Sequence, residues 1–502
     1  MIHFARHSSS MHMVGCFVAA AACVLTFGAT GALASPGEIA AAQAASAVAL
    51  IAQHVGERLE HDFETMQEHR PSYPFWRHIF MVPDGRIAFG SATDGRLLAT
   101  FPIRGDWRSE AVWADRSLAT VLEGRPLPAS LDDRRERTAE LFETATGPVV
   151  HNPTRGLFLL PNIGRYGRFL SEWGAIYERF GVPAEIGLAQ AVVESGLSGT
   201  VRSEARAVGF CQWLLRNWRR LDALSPHVLE GHNQTTQAPY CAAYLSILAT
   251  IYGSFIPALS EHHTGGANVG RTLINGARLG GITVRERYFL GAEFARNVRL
   301  LEPRTFQDVY GTYGPRSYLY TEMVFGNTAT VREILESTPQ QKIFAMRTPR
   351  AISLDEVARV TRLDRGEIQR FNPALRSRVP AGATLYLPRY VPAFGRDVAF
   401  WHRPPDPAYA AVLLDFVRLD ERALWIQGDL TSVLARFRQR FRDTETEEGT
   451  IMATTLAYVI EDRRTSRQDA IVEAFRTSER ILALFERART LLNAALAART
   501  QQ

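Results

Sequence analysis

The stretch Val182-Pro183-Ala184-Glu185-Ile186-Gly187-Leu188-Ala189-Gln190-Ala191-Val192-Val193-Glu194-Ser195-Gly196 decides how this chain is read. Pro183 suits a first helical turn, because its φ is already helical and its missing N–H is not needed there. The apolar run 186–193 fits a buried helix, and Gly196 marks its C-terminus. Glu194 therefore ends an apolar face at the negative end of a helix dipole. Loss of water and the dipole both disfavour a carboxylate, so both raise its pKa. An acid still protonated near neutral pH is what general-acid cleavage of a glycosidic bond requires. Standing alone, though, a glutamate that ends a helix is commonly solvated or salt-bridged.

The surrounding residues change that balance. Glu194-Ser195-Gly196-Leu197, Ser203 and Ala207-Val208-Gly209-Phe210-Cys211-Gln212 resemble, without a gap, the motif of the soluble lytic transglycosylases. That motif reads E-S-x-[FL], a serine nine residues after the glutamate, then A-x-G-x-x-Q. Tyr240-Cys241-Ala242-Ala243-Tyr244-Leu245, followed by Phe255-Ile256-Pro257-Ala258-Leu259, is similar to the family's A-x-Y-L helix and the helix after it. Arg316-Ser317-Tyr318 leading to Gly326-Asn327 is similar to its R-x-Y-V-P close. The resemblance covers about 160–335 and implies a lysozyme-like helical fold.

Two departures stand out. Where the family shows A-Y-N-A-G, this chain has Glu261-His262-His263-Thr264-Gly265, with His262 at the tyrosine and His263 at the asparagine. Both family side chains line the cleft; here each histidine reads equally as a site residue or a satisfied helix residue. Second, 270–312 is extra, and its Gly276, Gly280 and Gly281 predict a loop over one rim of the cleft.

The resemblance implies a one-acid mechanism. Glu194 would protonate the oxygen between N-acetylmuramic acid and N-acetylglucosamine. As carboxylate it would then take the proton of the muramic 6-hydroxyl, which closes on the anomeric carbon to give a 1,6-anhydro end. A hydrolase needs a second carboxylate within about 5–9.5 Å, and none stands out; Glu204 reads as surface. By the same resemblance Ser203, Gln212, Tyr318, His262 and His263 bind sugar or position the glutamate. Ser195 reads as a backbone cap. No metal or cofactor is expected.

Composition sets the outer bounds. At 502 residues, 46% hydrophobic and 22% charged, the chain can bury cores and is not disordered. Its length predicts about three or four domains. Beyond the extreme N-terminus no long uncharged apolar run appears, which excludes a multispan membrane protein. The net charge of +5 is mild and its arginines are dispersed among acids, so no nucleic-acid partner is expected. Residues 1–34 carry Arg6, no acid, an apolar stretch 14–27 and Ala32-Leu33-Ala34, the layout of a cleavable secretory signal. Export to the periplasm follows as the expected location. After cleavage only Cys211 and Cys241 remain. An oxidising compartment permits a disulfide between them, and two small buried hydrophobes is the other reading.

The rest of the chain divides as follows. Region 35–150 is a small α+β unit: a long amphipathic helix, then short strands at 79–82, 87–89 and 97–99 punctuated by Asp84-Gly85 and Asp94-Gly95. Region 151–335 is the transglycosylase-like domain. Within 336–392 the residues Leu354-Asp355-Glu356-Val357-Ala358, Leu363, Ile368, Phe371-Asn372-Pro373 and Pro380-Ala381-Gly382-Ala383-Thr384-Leu385 resemble a LysM module, a βααβ peptidoglycan binder. Its usual opening is degraded to Arg350-Ala351-Ile352-Ser353-Leu354. Region 393–502 reads as helices ending in an amphipathic run at 481–497. A lysozyme-like domain followed by LysM is similar to the membrane-bound murein transglycosylase D type. The fold class expected is thus mainly α, and the expected partner is the peptidoglycan glycan strand. The competing readings are an inactive wall-binding scaffold and a hydrolytic muramidase.

Overall fold

The computed structural model describes residues 35–224, 232–310, 317–419, 430–466, 486–494 and 497. The secretory-signal reading lies outside them, as do 481–485 and 495–496 of the 481–497 run. The described residues are mainly helical, with small antiparallel sheets. One large helical core gathers Trp173, Tyr177, Leu188, Val192, Ile247, Leu259 and Val324 from the middle of the chain, with Ile51 and Val55 before them and Phe416 and Leu456 after them.

The first helix, Pro36–His69, opens with a reciprocal cap in which Ser35 and Glu38 satisfy each other's backbone N–H. By length and composition it is apolar enough to cross a membrane. Its inner face nevertheless carries polar groups that are matched within the protein. Arg58 donates to Val417 O at 2.7 Å, and Asp62 accepts from Ser254 Oγ at 2.6 Å, Phe255 N at 2.7 Å and Arg285 Nε at 2.5 Å. This helix belongs to the large helical core and not to the sheet that follows it in sequence.

That sheet has the order Val112–Trp113, Leu97–Pro102, Arg86–Ser91, Val149–Pro153, every pair antiparallel. Its last strand runs across residue 150. Ile87 and Phe89 project into a separate core with Leu98, Phe101, Trp107 and Phe142, while Ala88 faces the helical body. The expected strand at 79–82 is instead the helix Trp76–Met81. Four consecutive apolar residues carry no periodicity, so a buried strand and a buried helix read alike. Here a 3-10 turn, Tyr73–Phe75, leads directly into the helix.

The described part of the extra segment, 270–310, is mainly helical and not a single loop. It forms the helices Gly266–Arg278, Val284–Leu301 and Pro303–Tyr310. Two of its glycines serve close packing, since a Cβ on Gly276 would stand 1.7 Å from Arg287 O and one on Gly291 1.8 Å from Thr272 O, whereas Gly280, at φ 98°, lies in the turn between the first two helices. Glycine as a loop signal and glycine as a helix-crossing point cannot be told apart locally.

Phe344–Arg347 pairs antiparallel with Thr384–Leu387, and between them lie the helices Leu354–Thr361 and Arg365–Phe371. Asn372 ties this unit together: its Nδ2 donates to Ile368 O at 2.9 Å and Tyr386 O at 2.7 Å, and its Oδ1 accepts from Tyr386 N at 3.0 Å. The unit also docks on the helical body, where Asn233 Nδ2 donates to Phe371 O at 2.6 Å and Thr236 Oγ1 lies 2.7 Å from Tyr386 Oη. The C-terminal helices Pro407–Val417, Leu430–Arg442 and Glu447–Ser466 pack on the same body. Glu172 fastens the 3-10 turn Phe400–His402 that precedes them through one oxygen, which accepts from Trp401 Nε1 at 2.9 Å and lies 2.5 Å from His402 Nε2.

Candidate active site

The helix Ala184–Ser195 is buried along most of its length. Gly196 ends it in the left-handed region at φ 54°, and a Cβ there would also meet Phe158 O at 2.2 Å. Only glycine satisfies both conditions. Glu194 thus sits in the last turn, with its side chain 14% exposed. Burial lifts its pKa from the ordinary 4.5 to about 7, and a hydrogen bond from Tyr320 partly opposes the rise. The Tyr320 hydroxyl donates to Glu194 Oε1 at 2.5 Å. His262 Nε2 lies 3.5 Å from the same oxygen. Among the described residues, Tyr320 and His262 are the side chains in polar contact with this carboxyl.

His262 is fixed from the other side, its Nε2 being 2.7 Å from Cys211 O. A carbonyl oxygen only accepts, so Nε2 carries the proton. Burial drops the ring's pKa to about 4, and it is neutral at physiological pH. His263 is more open, and its ring lies on Tyr320 with centroids 4.3 Å apart and planes 2° from parallel. The two histidines therefore converge on Glu194, one directly and one through Tyr320.

The loop after the helix is held as a small hairpin, Ala207–Val208 against Trp213–Leu214. Ser195 donates to Ala191 O at 3.0 Å and to Phe210 O at 2.9 Å, joining the helix end to this hairpin. Gln212 adopts φ 49° and donates to Val201 O and Gly209 O, both at 3.0 Å. Ser203 is exposed, and its hydroxyl accepts from Ala207 N at 3.0 Å. Both side chains thus shape the loop beside the glutamate. Glu204 is exposed, as the sequence predicts.

Tyr318 and Tyr320 divide the work differently from the sequence reading. Tyr318 is half-buried with the Arg296 guanidinium 5.8 Å from its ring, whereas Tyr320, 1% exposed, meets the glutamate. Arg316 lies outside the described residues. Gln190, buried one helical turn before Glu194 on the same face, stands beside Tyr320. Its four-residue spacing from Glu194 was the available signal for it. Among the described residues no three His, Cys, Asp or Glu side chains gather as a metal site would require.

Cys211 and Cys241 are joined as a disulfide with Cα atoms 6.1 Å apart. It ties the hairpin to the helix Gln234–Tyr252. Closing a loop of this size typically contributes about 2–4 kcal/mol. Peptide mapping of the oxidised protein without reductant is expected to recover the two linked peptides. Two freely alkylated thiols in the folded protein would contradict the pairing. Compared with known proteins, the chain matches no family model and no curated protein.

Proposed function

We propose that the protein is a peptidoglycan lytic transglycosylase, exported to the periplasm, with a lysozyme-like catalytic body spanning 151–335. One observation carries the reading: Glu194 is a largely buried acid whose pKa is raised to about 7, held through a single oxygen. Because Oε1 accepts the tyrosine proton, Oε2 is the oxygen left to carry the acid's own. In the proposed cycle Oε2 protonates the glycosidic oxygen between N-acetylmuramic acid and N-acetylglucosamine. The resulting carboxylate then removes the 6-hydroxyl proton as that oxygen closes on the anomeric carbon. No water is consumed. The LysM-like unit at 336–392 would hold the glycan strand.

Digestion of purified sacculi followed by mass spectrometry tests the reading. The expected fragments end in 1,6-anhydro-muramic acid. Fragments ending only in reducing muramic acid would identify a hydrolytic muramidase, and binding without release would identify a scaffold.

A further inference from the structure

The region around Glu194 contains two groups that the proposed cycle leaves unused, His262 and His263. Both stand on the helix Phe255–Thr264, which brings His262 Nε2 to 3.5 Å from Glu194 Oε1. His262 is 4% exposed at its side chain and its one outward N–H is aimed at Cys211 O, so little of it is left to meet a sugar. Its Nε2 lies 3.5 Å from Oε1, the oxygen that Tyr320 grips, so the neutral ring packs against the carboxyl while donating to Cys211 O. His263 covers one face of Tyr320 in near-parallel contact. A hydroxyl donating at 2.5 Å is sensitive to small rotations of its ring, and a stacked neighbour suppresses those rotations.

We infer that His262 and His263 are positioning residues: they fix Glu194 through Oε1 and Tyr320, and thereby keep Oε2 turned toward the substrate. This inference rests on the proposed transglycosylase reading for its kinetic consequences, but not for its structural ones. Both contacts act on the same carboxyl oxygen, one from the hairpin side and one from the Tyr320–Ser337 helix. A misplacement of about 1 Å in such a group can cost about 100-fold in rate. Among the described residues, the groups that face Glu194 and Tyr320 are His262, His263, Gln190 and Tyr177, and none of them is a carboxylate or a permanent cation. The acid's titration therefore reports chiefly on burial and on the Tyr320 hydrogen bond.

The test uses the full chain and two readouts. The first is the Glu194 carboxyl titration, followed by its infrared band as the difference from Glu194→Gln. Tyr320→Phe removes a hydrogen bond that lowers the pKa, so it raises the titration above that of the parent. His263→Ala is expected to shift the titration in the same direction, and His263→Phe, which preserves stacking, to leave it near the parent's. The second readout is kinetic. His263→Ala and His262→Phe are expected to lower kcat by about 10- to 100-fold with KM changed less than about twofold, and His263→Phe to restore most of the rate. Thermal unfolding of each variant, with His262→Gln as a milder change at the buried position, separates positioning from loss of fold. A rise in KM at unchanged kcat would overturn the inference in favour of sugar contacts. So would a His263→Ala titration identical to the parent's. If the parent protein cleaves no glycan, the reaction proposed above fails, and the titration still decides the role of the histidines.

Discussion

Replacing Glu194 with Gln is expected to lower turnover by at least roughly 100-fold, the size at which general acid–base contributions begin. The amide keeps the shape of the side chain and can still accept from Tyr320, but it can neither give nor take the proton. Sacculus binding should survive, because the substitution leaves the loop hairpin and the 336–392 unit untouched. The pH dependence follows from the same group. Burial holds Glu194 near 7, so the acid form dominates below that value and is depleted above it. The rate should fall about tenfold per pH unit on the alkaline side, with its midpoint near 7 and not near the ordinary 4.5. Measuring release of anhydro-muropeptides against pH checks both statements. A Glu194→Gln protein working at the parental rate would show that the acid lies elsewhere.

The second large effect lies beneath the site. Glu261, next to His262, is 4% exposed, and the Arg463 guanidinium, also 4% exposed, reaches its two oxygens at 3.2 and 3.3 Å. Tyr252 completes the set by donating its hydroxyl to the same carboxylate. Truncating Arg463 to Ala leaves a buried carboxylate without its cation, a change that typically costs about 3–5 kcal/mol. Equilibrium denaturation in urea should register that loss. Adding Glu261→Gln to Arg463→Ala should recover much of it, since the charge that needed the arginine is then gone. A single Arg463→Ala variant as stable as the parent would mean that water reaches Glu261.

The parts of this molecule that could be read from sequence are those set by neighbours along the chain. The helix ending at Ser195 was legible because an apolar run, Pro183 before it and Gly196 after it all agree. The hairpin turn at Gly95, φ 72°, was legible from Asp94-Gly95 between two apolar runs, whereas Gly85, φ 89°, marks a turn that joins a helix to a strand. What could not be read depends on distant partners or on phase. Which of two tyrosines meets Glu194 is decided by where the 3-10 turn Ser317–Leu319 gives way to the helix that follows, a change from 3.0 to 3.6 residues per turn. Residues on either side of that switch point in directions no single period predicts. The glycines of 270–312 gave a loop signal, and Gly280 does turn the chain, yet two helices cross there because a backbone oxygen occupies the place of the missing Cβ at Gly276 and Gly291. The C-terminal region read as helices with no site residue among them, although it supplies Arg463 to a carboxylate 202 residues earlier. No local pattern marks such a pair.

That separation has a consequence in time. A chain made from its N-terminus presents Glu261 long before Arg463 exists. At about 5–20 residues per second, the 202 residues between them correspond to roughly 10–40 seconds of synthesis. Throughout that interval the helix bearing both histidines has a carboxylate facing the interior with no cation to meet it. A chain interrupted before residue 463 would carry Glu261, on the same helix as both histidines, without the cation that meets it in the full protein.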